Sequence, residues 1–204
     1  IMESANIHSG IFMNGQVVLY QGERVYSSEI PTETVERFHQ MVKEDGYGLT
    51  AYNDKEFYLV ESSAGSKDAY GFIHTNPPAL KEDFYKENPI NMMLFISLPP
   101  AEEKYKVAFP NLDFLRNTPY SVDVISKGNS KAEGIKRFLE HLNQEDAETY
   151  AFGDGPNDIE MLQAVTHPVA MGNALPILKE IAEFITTDNT DNGIINGLKH
   201  YGLI

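Results

Sequence analysis

The stretch Tyr150-Ala151-Phe152-Gly153-Asp154-Gly155-Pro156-Asn157-Asp158-Ile159-Glu160-Met161-Leu162 constrains this chain more than any other. Its opening residues read as a short buried strand, its middle as a tight turn carrying two carboxylates and an amide, and its end as the start of a helix. Gly153 and Gly155 let the backbone fold sharply or approach a ligand closely. Asp154 and Asp158 offer hard oxygens of the kind magnesium takes, and Asn157 is a neutral donor beside them. Gly, Pro, Asn and Asp also build ordinary surface turns. The run from Gly153 to Asp158 is longer than a turn requires, however, and it stands at the carboxyl end of an apolar strand, where open α/β sheets bind ligands. A dinucleotide fingerprint is excluded, because Asp158 stands where its third glycine belongs.

Strand and helix alternate on both sides of this stretch. Val122 to Ile125 is expected as a strand. Ser130-Lys131-Ala132-Glu133 is a capping box, and Ile135, Phe138, Leu139 and Leu142 share one face of the helix it opens. Thr149 to Phe152 is the strand before the glycine turn, and Ile159, Leu162 and Val165 form the buried face of the helix after it. Val169-Ala170-Met171 reads as a strand, Asn173 and Pro176 open a helix, Phe184-Ile185-Thr186 is a short strand, and Gly193 to His200 is a last helix. This period implies a parallel sheet with right-handed crossovers. Its carboxyl edge should gather the loops at 128–131, 153–158 and 172–173, bringing Lys131 toward Asp154, Asn157 and Asp158. At the first position of a helix, Lys131 sits where unpaired amides and the helix dipole already favour an anion. An ammonium, carboxylates able to hold magnesium and an amide donor make a phosphate site in three parts. Such a site suits phosphoryl transfer, in which positioning and charge neutralisation do most of the catalytic work. A solvated lysine is the plainer alternative for Lys131.

Upstream the texture differs. Ile11 to Tyr20 is a strand pair around the Asn14-Gly15 turn signal. Thr32 to Glu44 places Val35, Phe38, His39 and Val42 at helical spacing, with Thr32 able to cap and Gly46 able to terminate. His39 has no second ligand spaced with it and reads as a core or boundary histidine. Strands are expected at 48–52 and 56–61, short helices at 66–74 and 79–86, a buried central strand at 91–98, a helix at 101–108 and a strand at 112–116. Strands returning between helices describe a separate α+β unit. Its aromatic residues, Tyr47, Tyr52, Phe57, Tyr58, Tyr70, Phe72, Phe84 and Tyr85, are read as core rather than pocket. Near the carboxyl end, Asp188 to Gly193 invites a calcium-loop reading and fails it, since Thr190 and Lys199 stand where oxygen ligands and a glutamate are required. It is read as a capped turn into the last helix.

Composition narrows the partners. The chain has 204 residues, 42% of them apolar, enough for a proper core. A net charge of −14 repels a phosphate backbone, so nucleic acid is not expected as a partner. No run approaches the length of a membrane span, so no membrane partner is expected either. The absence of cysteine excludes disulfides and thiolate sites and makes a reducing cytoplasm the easiest fit. Ile1 precedes Met2, and the apolar run Ile11-Phe12-Met13 follows almost at once, so the sequence is expected to be a piece of a longer chain.

Three runs carry a resemblance: Val124-Ile125-Ser126-Lys127-Gly128-Asn129-Ser130-Lys131, the stretch Ala151 to Leu162, and Val169-Ala170-Met171-Gly172-Asn173-Ala174. Together they resemble the Cof-type branch of the haloacid dehalogenase superfamily, magnesium-dependent phosphatases acting mostly on small phosphorylated metabolites. The resemblance implies an α/β fold, a partial Rossmann-like parallel-sheet core plus an inserted α+β cap. Residues 1–16 would be a remnant of core leading to the hinge, 17–118 the cap, and 119–204 the carboxyl-terminal part of the core. It also implies that Lys131 binds phosphate and steadies the nucleophile, that Asp154 is a magnesium ligand, and that Asn157 contacts phosphate. Asp158 would be the second acid of the motif, in the metal shell or supporting the lysine.

The chain departs from the family in one large respect. Members open with an Asp-x-Asp-Gly motif that supplies the nucleophile, followed by a Ser/Thr phosphate-binding motif, and neither occurs in these residues. The expectation is therefore a phosphatase family whose members work through an aspartyl-phosphate, and a 204-residue polypeptide inactive by itself. The missing first strand would expose a sheet edge and invite self-association. Magnesium should bind weakly or not at all. A non-catalytic phosphoanion-binding or regulatory module is the alternative, and transfer between sugar positions remains open beside hydrolysis.

Overall fold

Alternation along residues 48–52, 92–96 and 121–126 sends every second side chain to one face, and that pattern builds the larger of the sheets. The computed structural model describes residues 7–204, so the readings on Ile1-Met2 and the opening of the 1–16 segment lie outside the described residues. It divides into two compact units, the first ending at Asn129 and the second comprising Ser130–Ile204.

In the first unit, β1 (Gly10–Phe12), β2 (Val17–Tyr20) and β3 (Glu23–Ser27) form an antiparallel three-stranded sheet. Asn14 turns the chain at φ 55° between β1 and β2, as the Asn-Gly pair predicts. Next come α1 (Thr32–Asp45), β4 (Gly48–Tyr52), β5 (Phe57–Glu61), α2 (Ser66–Phe72), α3 (Phe84–Glu87), β6 (Met92–Ile96), α4 (Glu102–Ala108), β7 (Leu112–Thr118) and β8 (Ser121–Ser126). The strands make a five-stranded sheet in the order β5-β4-β6-β8-β7, with the expected apolar strand at its centre. Leu49, Ala51, Met93, Phe95, Val122 and Val124 point from one face into a core shared with Val35, Phe38 and Val42 of α1 and Tyr105 of α4. Gly46 ends α1 in the left-handed region at φ 76°.

Three local expectations are corrected here. Pro31, not Thr32, precedes α1, and no side chain caps it. Residues 79–81 are not helical: Leu80 bridges Leu59, with the Leu59 amide donating to the Ala79 carbonyl at 3.0 Å, so this segment edges the sheet and the helix is confined to α3. The third concerns Val122 to Ile125, expected in the parallel series. β8 instead runs antiparallel to both β6 and β7. Only Pro119 and Tyr120 separate β7 from β8, which suits a hairpin and is far too short for a parallel crossover. The boundary between the two compact units falls after Asn129, beyond this hairpin.

His39 is a satisfied boundary residue, 8% exposed, with Tyr85 Oη at 3.2 Å and Glu61 Oε2 at 3.1 Å from its ring nitrogens. Of the aromatics read as core, Tyr70, Phe84 and Tyr85 are buried, whereas Phe57 and Phe72 are exposed.

The second unit contains α5 (Lys131–Leu142), β9 (Tyr150–Gly153), α6 (Ile159–Ala164), β10 (His167–Ala170), α7 (Pro176–Ile181), β11 (Phe184–Ile185) and α8 (Gly193–His200). Its strands pair in parallel in the order β11-β10-β9, the register running Val169 to Phe152 and Ala170 to Gly153. Leu162 and Leu178 are almost wholly buried against the sheet. Burial of that kind contributes about 2 kcal/mol per leucine. Among the described residues no helix is long and apolar enough to cross a membrane.

Candidate active site

The carboxyl ends of β9 and β10 carry the site, because in a parallel sheet the loops that follow successive strands emerge on the same edge. β9 ends at Gly153, and Pro156–Asp158 make a single 3-10 turn before α6 begins. A Cβ on Gly153 would lie 2.7 Å from Asp158 Cβ, so the first glycine lets the loop close on its own aspartate rather than on a ligand.

Asp158 is 4% exposed and both its oxygens are engaged. Lys131 Nζ donates to Oδ1 at 2.5 Å, while the amides of Asp154 and Gly155 donate to Oδ2 at 2.9 and 3.0 Å. Burial pushes the Asp158 carboxyl up, but the Lys131 ammonium and the two amides outweigh it and hold it below the ordinary carboxylate value. Of the two roles expected for Asp158, support of the lysine is the one this geometry provides.

Lys131 is the first residue of α5, as predicted, and Ser130 caps that helix by accepting from the Glu133 amide at 3.3 Å. The lysine side chain remains about one-third exposed. Asn157 is half-buried within the turn. Asp154 is exposed, and its carboxylate is the one the loop leaves toward solvent.

The 172–173 loop was expected at this edge with Asn173 only as a helix opener, whereas α7 begins at Pro176 after Leu175 and Asn173 lies before it in the loop. Its Nδ2 donates to Asp154 Oδ2 at 2.8 Å. The signal was the Gly172-Asn173 pair at the end of the next parallel strand. Asp188 to Gly193 is a turn, as read, but Asp188 holds it: Oδ1 accepts from the Thr190 amide at 3.0 Å and hydroxyl at 2.9 Å, and no side chain caps α8.

Among the described residues no three His, Cys, Asp or Glu side chains gather into a metal-holding cluster. Magnesium does not need one, since it keeps several waters and binds through one or two carboxylates plus substrate phosphate. An exposed carboxylate with one oxygen held by an amide fits one arm of such a site.

A model of the haloacid dehalogenase-like hydrolase family matches residues 1–198. The chain is 36% identical over 205 residues to the Bacillus subtilis (strain 168) protein YkrA, itself named only provisionally as a phosphatase, covering 100% of this chain and 79% of that one. The crystal structure of a hypothetical protein from Geobacillus kaustophilus HTA426 superposes with a TM-score of 0.89 at 31% identity, covering 100% of this chain and 80% of that one. The HAD subclass IIB sugar phosphatase BT4131 superposes with a TM-score of 0.85 at 28% identity, covering 100% and 79%. This chain belongs to the haloacid dehalogenase-like hydrolases.

Proposed function

We propose that the second unit carries the phosphate and cation side of a magnesium-dependent phosphomonoester hydrolase acting on small phosphorylated metabolites. The observation that supports this most is the Lys131–Asp158 contact beside the exposed Asp154 on one edge of a parallel sheet. Asp158 holds the Lys131 ammonium in place, Lys131 binds a phosphoryl oxygen and offsets its charge, and Asn157 orients the same group. Asp154 is the carboxylate for magnesium, which when bound would neutralise charge on the phosphoryl oxygens.

The attacking group in this reading is the first aspartate of an Asp-x-Asp-Gly motif, which these residues do not contain. Its carboxylate would bond to phosphorus as the alcohol leaves with a proton, and water would then hydrolyse the aspartyl-phosphate to free phosphate. The 204-residue chain is accordingly proposed to lack turnover of its own. The test assays a general phosphomonoester and a panel of sugar phosphates, the latter suggested by the sugar phosphatase among the neighbours. It compares this chain with a version extended upstream through an Asp-x-Asp-Gly segment. Magnesium-dependent turnover should appear only in the extended version and vanish with Asp154→Ala. Turnover by the 204-residue chain would overturn its proposed inactivity, and none in either form would favour a phosphoanion-binding module.

Self-association is proposed as well. Among the described residues β9 pairs on one side only, with β10, and an open strand edge is a template for a second copy. A monomeric mass by light scattering at high concentration would count against it.

A further inference from the structure

Asn173 touches Asp154 with one end of its carboxamide and the carboxyl-terminal turn with the other. Nδ2 donates to Asp154 Oδ2 at 2.8 Å, and Oδ1 accepts from the Asn189 amide at 3.2 Å. These partners admit only one orientation of the amide. Rotated by half a turn, it would set its oxygen against a carboxylate and its NH2 against an N–H, losing both hydrogen bonds.

The backbone around Asn173 is built for this reach. A Cβ on Gly172 would lie 2.6 Å from the Asp188 nitrogen, so only glycine lets the two loops approach this closely. The Gly172 amide donates to the Thr187 carbonyl at 3.0 Å, and Lys179 Nζ donates to the Gly172 carbonyl at 2.6 Å. The Leu175 amide meets the Asp154 carbonyl at 3.2 Å, so the 172–175 segment grips Asp154 by side chain and by backbone.

We propose that Asn173 is a positioning residue for the cation. It holds Asp154 Oδ2, presents Oδ1 as the oxygen left for the metal, and transmits to that carboxylate the order of the 187–191 turn. The inference rests on the reading of Asp154 as the cation carboxylate. It explains why asparagine follows glycine here: glycine for the approach, and a side chain with both a donor and an acceptor for the bridge.

The experiment uses the 204-residue chain with Mn2+ as the probe, read by water-proton relaxation, which detects weak binding. Asn173→Ala should raise the Mn2+ dissociation constant about 10-fold or more. It should also speed hydrogen exchange at the Asn189 amide and average the χ1 couplings of Asp154. Asn173→Asp keeps the accepting oxygen, so Asn189 should stay protected while the Asp154 couplings average. Equal Mn2+ affinity in wild type and Asn173→Ala would overturn the inference and leave the Asp154 reading standing. If Mn2+ binds neither, that matches the weak binding expected of these residues without the Asp-x-Asp-Gly motif, and the Asp154 couplings decide: unchanged couplings in Asn173→Ala would overturn the positioning role.

Discussion

Lys131 Nζ lies 2.5 Å from Asp158 Oδ1, joining the first residue of α5 to the turn that opens α6. The other Asp158 oxygen takes the amides of Asp154 and Gly155, so one carboxylate fixes both Lys131 and the backbone of the glycine loop.

Removing that carboxylate should therefore cost more than a surface ion pair. Asp158→Ala leaves two loop amides and an ammonium without their acceptor and should destabilise the chain by about 2 kcal/mol, a figure reduced because the lysine is partly solvated. Asp158→Asn retains an oxygen for the amides and should cost about half as much. Urea unfolding of the two variants measures the difference. Equal costs would mean that the lysine, not the amides, accounts for the effect.

The same carboxyl sets an acid limit. Burial raises its pKa, and the Lys131 ammonium and the amides more than reverse this, so the folded value lies below the unfolded value of 3.8. A depressed carboxylate contributes stability that is present above its unfolded pKa and is lost as pH falls through the folded one. From about pH 7 to pH 5 its contribution should be flat, with the loss confined to the region below pH 4. Unfolding free energy followed against pH should show a shallower acid limb in Asp158→Asn than in wild type. Identical limbs would remove Asp158 as a source of the acid loss.

The parallel half of the fold was legible because its strands, glycine turns and helices recur in order, and each signal is local. Lys131 was legible for the same reason: a capping serine fixes the start of α5. The β7–β8 hairpin was misread although its clue was present, since two residues between Thr118 and Ser121 leave no room for a crossover. The bonds that tie Asp158 to Lys131 and to the Asp154 and Gly155 amides were not legible in sequence, because they depend on where two backbone amides point. Asn173 was missed because its partners, Asp154 and Asn189, are remote in sequence and only the packing of three loops brings them to one amide.

Ser130 caps α5 through the Glu133 amide and so sets where Lys131 begins the helix. Ser130→Ala should cost about 1 kcal/mol. Fraying of the first turn should also release Lys131, so the hydrogen-exchange protection of the Glu133 amide and the slow exchange of the Lys131 ammonium should fall together. Loss of the first without the second would show that Asp158 alone orders the lysine.

Gly153 is required by proximity, not by backbone angle. An alanine Cβ there would meet Asp158 Cβ at 2.7 Å, Cγ at 3.2 Å and Oδ2 at 3.3 Å. Relief would require Asp158 to move, yet Lys131 and two amides tether it, so the strain has no inexpensive outlet. Gly153→Ala should therefore destabilise by about 2 kcal/mol, in the range of overpacking a close contact. In an Asp158→Ala background the tethers are gone and the turn is free to yield, so the added cost of Gly153→Ala should fall below about 1 kcal/mol. Urea unfolding of the single variants and the double variant closes this cycle. Strictly additive costs would mean that Gly153 answers to something other than Asp158, and the closure of the loop on its own aspartate would lose its explanation.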